Sequence, residues 1–350
     1  MTRGSSAIRV IVPCHQADST LGECLKGIKA AWPDSCELVL VDDGGNSCLN
    51  DLAARFCASV VRTAGRRSAG AARNAGARGF AGEILVFVDA DVVPATPDAL
   101  AQLTAPLLGR NAAATVGRYG ETKRESFAAT YKQRYLAYTY RHRAGDLRNT
   151  FWSALCAVRR EVFEAVGGFN ESYEGAGPED IDFGMSLTAR GEVIQAVPAA
   201  VGHHLKALTL GGLVRNDLAK GCEDVYVHWA RRIPITENRH AGTADILAVA
   251  LAGCLLLSLF AAPWIGPMPA FALALGYIFS RQALLGGAFG AWGLVFFAQA
   301  VLATFMLDIV RGVAVLLGTA LWAVECFSDG RWKPFQKRGD VENTPILRSE

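Results

Sequence analysis

The residues best placed to do chemistry are Asp89 and Asp91, held one residue apart at the end of the continuous apolar run Ile84-Leu85-Val86-Phe87-Val88. A run of this kind reads as a strand buried on both faces, as parallel-sheet strands are, and ligands of open α/β sheets gather beyond the carboxyl ends of their strands. Two carboxylates there suit a hard divalent cation such as Mg²⁺ or Mn²⁺, which takes oxygen ligands and is often shared with substrate phosphates. Taken alone, the pair could equally close a strand by facing water.

Other groups bear on that choice. Asp42 and Asp43 end a second apolar run, Glu37–Val41, where an acid can accept hydrogen bonds from a nucleobase or a ribose. The stretch from Arg66 to Gly76 puts small residues and arginines, Arg73 among them, at the start of a helix. Backbone N–H groups, the helix dipole and guanidinium attract a diphosphate to such a place, although a basic solvated face has the same composition. Glu179 and Asp180 open another helix just after Pro178. A carboxylate there can act as general base for an acceptor hydroxyl, while acids also favour helix N-termini on electrostatic grounds alone. His203 and His204 finish a later strand, where successive side chains face opposite sides, so at most one points at the site. A neutral imidazole could complete the shell of a cation held by Asp91.

The elements needed to position these groups alternate. Strands are expected at Ile8–Val12, Glu37–Val41, Ser59–Arg62 and Ile84–Val88, with helices at Leu21–Ala31 and Ala69–Phe80 between them, the rhythm of a parallel sheet with crossover helices. A less regular part follows, with a helix at Glu125–Tyr140, a strand at Phe151–Val158, a short helix at Glu161–Val166, the helix from Glu179 and a strand at Val193–Val201. Leu208–Arg232 reads as an amphipathic, partly basic helix suited to a membrane surface. The first strand runs into Val12-Pro13-Cys14-His15-Gln16 where a dinucleotide-binding turn needs Gly-X-Gly-X-X-Gly, which argues against an oxidoreductase of that kind.

The 350 residues leave room for one large α/β domain and something smaller, and the composition changes near residue 243. Ile246–Ala262 has no charge, and apolar residues dominate through Val324. Ile246–Pro263 and Ala283–Met306 are long enough to cross a hydrocarbon core of roughly 30 Å. Arg331, Lys333, Lys337 and Arg338 follow, which places the tail in the cytosol by the positive-inside tendency and, with an even number of crossings, on the side of the catalytic domain. The nine cysteines contain no Cys-X-X-Cys pair, and the start of the chain shows no apolar leader. Reduced thiols and a cytosolic domain on a multi-pass cytoplasmic membrane anchor are therefore expected, with the bilayer and not nucleic acid as partner.

In their order along the chain, Val10-Ile11-Val12-Pro13, Val41-Asp42-Asp43-Gly44, Gly70-Ala71-Ala72-Arg73-Asn74-Ala75-Gly76, Val88-Asp89-Ala90-Asp91, Gly167-Gly168-Phe169-Asn170-Glu171 and Glu179-Asp180-Ile181-Asp182 resemble the motif series of family 2 glycosyltransferases, over roughly residues 7–205. The resemblance implies the GT-A fold, an α/β arrangement with a mixed, mainly parallel sheet, together with a nucleoside-diphosphate sugar donor, a divalent metal and inversion at the anomeric carbon. It also implies that Pro13, Asp42 and Asp43 line the nucleoside pocket, that Arg73 faces the diphosphate, and that Asp89 lies near the ribose and metal. Asp91, helped by His203 or His204, would ligate the metal, and Asp180, supported by Glu179, would be the base. The Gln-X-X-Arg-Trp motif of polymerising members is missing, the comparable region running from Lys220 to Arg232, so single-sugar transfer is favoured over extension of a polysaccharide. The expected organisation is a catalytic domain at 1–207, an interfacial helix and linker at 208–242, membrane helices at 243–327 and a basic tail at 328–350. A lipid or lipid-linked acceptor fits that layout; a non-catalytic nucleotide-sugar-binding membrane protein fits the acids less well.

Overall fold

The computed structural model describes residues 7–31, 36–63, 68–141, 145–173, 177–205, 208–235, 243–286 and 292–328. Arg66, Arg67, residues 174–176 of the loop before Pro178, and the basic tail lie outside them.

The aliphatic runs build the centre of one mixed sheet. Its first half is parallel, in the spatial order β3 (Ser59–Arg62), β2 (Glu37–Asp42), β1 (Ile8–Cys14) and β4 (Ile84–Val88). The crossovers are α1 (Leu21–Ala31), α2 (Leu49–Arg55) and α3 (Ala69–Ala77). All five residues of β4 are buried, as a strand covered on both faces must be. The second half adds β8 (Leu155–Arg159) antiparallel to β4, then β6 (Ala114–Tyr119), then β9 (Ile194–His204) parallel to β6. Short strands β5 (Val92–Pro94) and β7 (Gly145–Leu147) both pair antiparallel with β9. The remaining helices of this domain are α4 (Ala99–Leu108), α5 (Phe127–Thr139), α6 (Arg160–Ala165) and α7 (Glu179–Ala189). This is the mixed α/β arrangement expected, with the carboxyl ends of β1, β2, β4, β6 and β9 on one rim.

Two differences from the sequence expectation matter for that rim. The strand expected from Phe151 begins only at Leu155, because Phe151 and Trp152 are core side chains of irregular backbone, the indole N–H donating to the Gly117 carbonyl at 2.9 Å. And β9 does not stop at Val201 but runs through His204, since β5 pairs with its last residues in the register Val92↔His204 and Val93↔His203.

Beyond the sheet lie α8 (Leu210–Arg231), α9 (Thr243–Ile265), α10 (Met268–Ser280), α11 (Gln282–Leu285) and α12 (Leu294–Phe327). By length and composition α9 and α12 could each cross a membrane. α9 and α10 pack together through Ala248, Ala252, Leu255, Ala270 and Tyr277 and turn Leu257, Phe260, Trp264, Phe271 and Phe279 outward. α12 lies along α8 at close approach: a Cβ on Gly221 would stand 2.7 Å from the Ala314 Cβ, one on Gly318 would stand 2.7 Å from the Cys222 carbonyl oxygen, and Trp229 stacks on Trp322. The opposite side of α8 meets α7 through Val227 against Ile181 and Met185. The helix expected on a membrane surface is thus sandwiched between α7 and α12.

The sheet and α3 approach each other only because Gly76 lacks a side chain. A Cβ there would lie 2.5 Å from Ile11 Cγ2 and 2.9 Å from Val41 Cγ2. Gly76→Val should lower the thermal midpoint by the equivalent of about 1–3 kcal/mol through overpacking, whereas Gly22→Ala, at a helix position with open space around it, should leave it unchanged or raised. Equal midpoints for the two variants in differential scanning fluorimetry would contradict this packing.

Candidate active site

α3 delivers the group on which the site is built. Ser68 caps the helix, its hydroxyl accepting from the Ala71 N–H at 3.1 Å, and one turn later Arg73 points back under the sheet rim. Its Nη2 donates to Asp89 Oδ1 at 2.7 Å and its Nη1 to Glu179 Oε1 at 3.0 Å, with the guanidinium 5.4 Å from the Phe169 ring. Arg73 is only 3% exposed. The sequence aims this residue at a diphosphate, but here both terminal nitrogens are committed to carboxylates from two separate elements, the β4 end and the start of α7. Burial works against the cation, yet Asp89 and Glu179 hold its pKa above the ordinary value.

Asp91 sits one step further out. Its carbonyl accepts the Leu205 N–H at 2.6 Å, and its Oδ2 lies 3.6 Å from His204 Nε2. His204 shares its face of the sheet with Tyr119, the two rings 5.8 Å apart. Strand alternation turns His203 to the other face, against Gly120, where burial and then Arg118 lower its pKa. The structure therefore brings Asp91 and His204 together and keeps His203 apart.

A metal fits this pair in part. Two donors that each stand about 2.1 Å from a divalent cation are separated by roughly 3–4.2 Å, and 3.6 Å lies inside that interval. The carboxylate suits a hard ion such as Mg²⁺ or Mn²⁺, and the imidazole favours a transition metal. No three His, Cys, Asp or Glu side chains gather as a closed cage among the described residues, so substrate oxygens and water would supply the other positions.

On the neighbouring strand ends, Asp43 is buried and accepts from the Thr63 hydroxyl at 2.7 Å, while the Asp43 carbonyl stands 3.2 Å from His15 Nδ1. Asp42 closes its own turn, accepting from the Gly44 N–H at 3.1 Å and from Asn46 Nδ2 at 2.9 Å. Asp42 thus shapes the loop, and Asp43 with Pro13 at the end of β1 stands at the rim.

The acid side of the cleft holds residues that sequence reasoning missed. Lys220, on α8, donates to the Gly177 carbonyl at 3.1 Å, in the loop that leads into α7, and pairs with Glu223 at 3.4 Å. Asp224 follows on the same helix. Burial raises the pKa of both Glu179 and Asp180; for Asp180 the largest opposing charge is Lys220, followed by Arg73. Burial pushes the Asp224 carboxyl up to about 7, against the pull of Lys220. Asp182 is occupied elsewhere, its oxygens taken by Arg231 at 2.6 Å and Asn170 at 3.2 Å. The i, i+3, i+4 spacing of Lys220, Glu223 and Asp224 was visible as one polar helix face; what that face meets was not.

A family model described as glycosyl transferase family 2 matches residues 9–167, and one described as the N-terminal domain of galactosyltransferase matches residues 141–207. Among solved structures, the mannosyltransferase PcManGT from Pyrobaculum calidifontis, in complex with GDP-Man and Mn²⁺, aligns with a TM-score of 0.53 at 19% identity, over 93% of this chain and 87% of that one. That likeness establishes a shared fold, GT-A. Residues 1–349 of TarS from S. aureus align at 14% identity over 93% of this chain and 92% of that one, with a TM-score of 0.46, too low to carry an argument. No curated protein sequence matches the chain.

The raised acids have a consequence for stability. A carboxyl whose folded pKa lies near 7 instead of the ordinary 3.8 binds its proton more tightly in the folded state, so its contribution is complete below about pH 4 and is lost as pH rises through about 7. Glu179, Asp180 and Glu223 act in the same direction. The thermal midpoint should fall between pH 5 and pH 8, and Asp224→Asn should flatten that fall; an unchanged slope would mean that Asp224 titrates normally.

Proposed function

Because this chain carries a family 2 glycosyltransferase domain of the GT-A fold, we propose that it is a membrane-attached, inverting glycosyltransferase that moves one hexose-type sugar from a nucleoside-diphosphate sugar to a hydroxyl of a lipid or lipid-linked acceptor. The observation that carries this reading is Arg73, whose two ion pairs bind the Asp89–Asp91 strand end and the Glu179–Asp180 helix start into one rim.

On this reading Asp43, with Pro13 beside it, receives the nucleoside, and the part of Asp89 left open by Arg73 faces the ribose. Asp91 and His204 would hold a divalent metal, which when bound supplies positive charge to the departing diphosphate. Asp180 takes the proton of the acceptor hydroxyl as its oxygen forms the new bond to the anomeric carbon. The bond from that carbon to the diphosphate oxygen breaks on the opposite face, which inverts the configuration and releases the nucleoside diphosphate. Arg73 and Glu179 hold Asp180 in place, and Lys220 opposes the protonation that burial favours.

For the membrane, the α9–α10 hairpin supports insertion through its outward apolar side chains. The exposed stripe Val295, Leu302, Met306, Val313, Leu316 and Val324 supports α12 lying against the bilayer surface, since its other side is packed on α8. The catalytic rim would then sit on the cytosolic side, within reach of a lipid-borne hydroxyl.

Detergent-solubilised protein with Mn²⁺, a panel of nucleoside-diphosphate sugars and extracted lipids, read by mass spectrometry, should give a single hexose addition; a ladder of products would indicate polymer extension. Asp91→Ala should abolish turnover and keep the fold, and near-normal transfer by it at saturating donor and metal would remove the metal assignment. Asp180→Asn should bind donor normally and lose about 10²–10⁴-fold in transfer rate. Wild-type transfer by that variant would move the base to another residue.

A further inference from the structure

On the far face of β6 from Tyr119 and His204 lies a cavity of about 370 Å³, lined by Arg118, Glu121, Arg134, Tyr138, Arg141 and Ala283. We propose that it binds the phosphate group of an anionic membrane lipid. This rests on the membrane reading above and adds a headgroup site to it.

Three guanidiniums against one carboxylate leave the cavity with an excess of positive charge. The arginines are aimed mainly by neutral groups. Arg118 donates through Nε to the Pro198 carbonyl at 2.7 Å, Arg134 through Nε to the Leu284 carbonyl at 2.6 Å, and Arg141 lies 3.7 Å over the Tyr138 ring and donates to the Tyr138 carbonyl. The one acid, Glu121, pairs with Arg134 at 3.0 Å, its side chain 41% exposed. Elsewhere at the junction with the apolar helices the arginines are neutralised, Arg281 by Asp308 and Asp245, and Arg311 by Asp308 and Asp217. Among the described residues, this cavity therefore brings together arginines that carboxylates do not fully match.

Its place in the fold favours a lipid over a free ion. The Tyr138 hydroxyl donates to Asp245 at 3.1 Å, in the first turn of α9, and Ala283 belongs to α11, directly after α10. The cavity thus opens at the root of the α9–α10 hairpin. When that hairpin enters hydrocarbon, its root stands at headgroup level, where arginine meets lipid phosphate with a bidentate geometry. The donor rim lies on the other side of the strand: Tyr119 faces His204, while Gly120, of the same parity as Arg118, faces His203.

The test uses native mass spectrometry of the full chain in detergent, titrated with phosphatidylglycerol or with diacylglycerol of the same acyl chains. Arg118→Gln with Arg141→Gln spares the buried Arg134, and Arg55→Gln with Arg190→Gln removes equal charge at exposed positions elsewhere. The wild type and the control should take up phosphatidylglycerol alike, the cavity variant at least threefold more weakly, and all three should bind diacylglycerol equally. Unchanged phosphatidylglycerol affinity in the cavity variant overturns the site. Equilibrium dialysis with inorganic phosphate distinguishes the source: phosphate binding that the cavity variant loses, beside lipid binding it keeps, overturns the lipid assignment in favour of a soluble anion. A wild type that takes up neither lipid contradicts the membrane reading itself.

Discussion

A buried arginine between two carboxylates is the constraint on which this molecule depends. Arg73 costs much to bury and is stabilised only because Asp89 and Glu179 meet it from opposite sides; removing one partner of such a group leaves an uncompensated charge in the interior. Reaching both acids requires α3 to lie close to the sheet and close to α7. Gly76 allows the first approach, against Ile11 and Val41, and Gly70 the second, where a Cβ would stand 3.2 Å from the Phe169 Cβ and 3.3 Å from the Glu179 Cγ. The small-residue character of α3 is therefore a packing requirement of this rim.

From this constraint the division of the cleft follows. The strand side presents Asp91 with His204, and the helix side presents Asp180 under the influence of Lys220 and Asp224. α8 carries those last two groups and is pinned on its other side to α12 by close glycine contacts. α8 thus joins the apolar helices to the charged groups that surround Asp180. The junction is held by a charge chain running from Arg281 through Asp308 and Arg311 to Asp217 and Lys132, which ties α10 and α12 to α8 and α5. Charges in such apolar surroundings persist only when matched in this way.

What could be read from the sequence had local period or local order. The strand ending at Asp89 was legible because five apolar residues run unbroken into acids, and the helix at Glu179 because Pro178 and the acids mark a first turn. The roles that depend on long-range contacts were not legible. Arg73 and Glu179 are 106 positions apart, so nothing near Arg73 announces that its charge is spent inside the protein. The choice between His203 and His204 needed the register of β5 on β9. α8 looked like a surface helix because a polar stripe packed against buried acids has the same sequence as one facing water. The elements α4, β5, β6 and β7 lacked a pattern strong enough to place, β6 being a run of small and mixed residues whose pairing is decided by β8 and β9.

The central claim, that the ion pairs of Arg73 unite the two halves of the site, is tested most directly by a double-mutant cycle of Arg73→Met and Glu179→Gln in chemical denaturation of the detergent-solubilised protein. Each single change should cost about 3–5 kcal/mol, and the double variant should lose less than the sum by at least roughly 1.5 kcal/mol. Additivity within about 0.5 kcal/mol would show that the two residues stand side by side without holding one another, and would contradict the account.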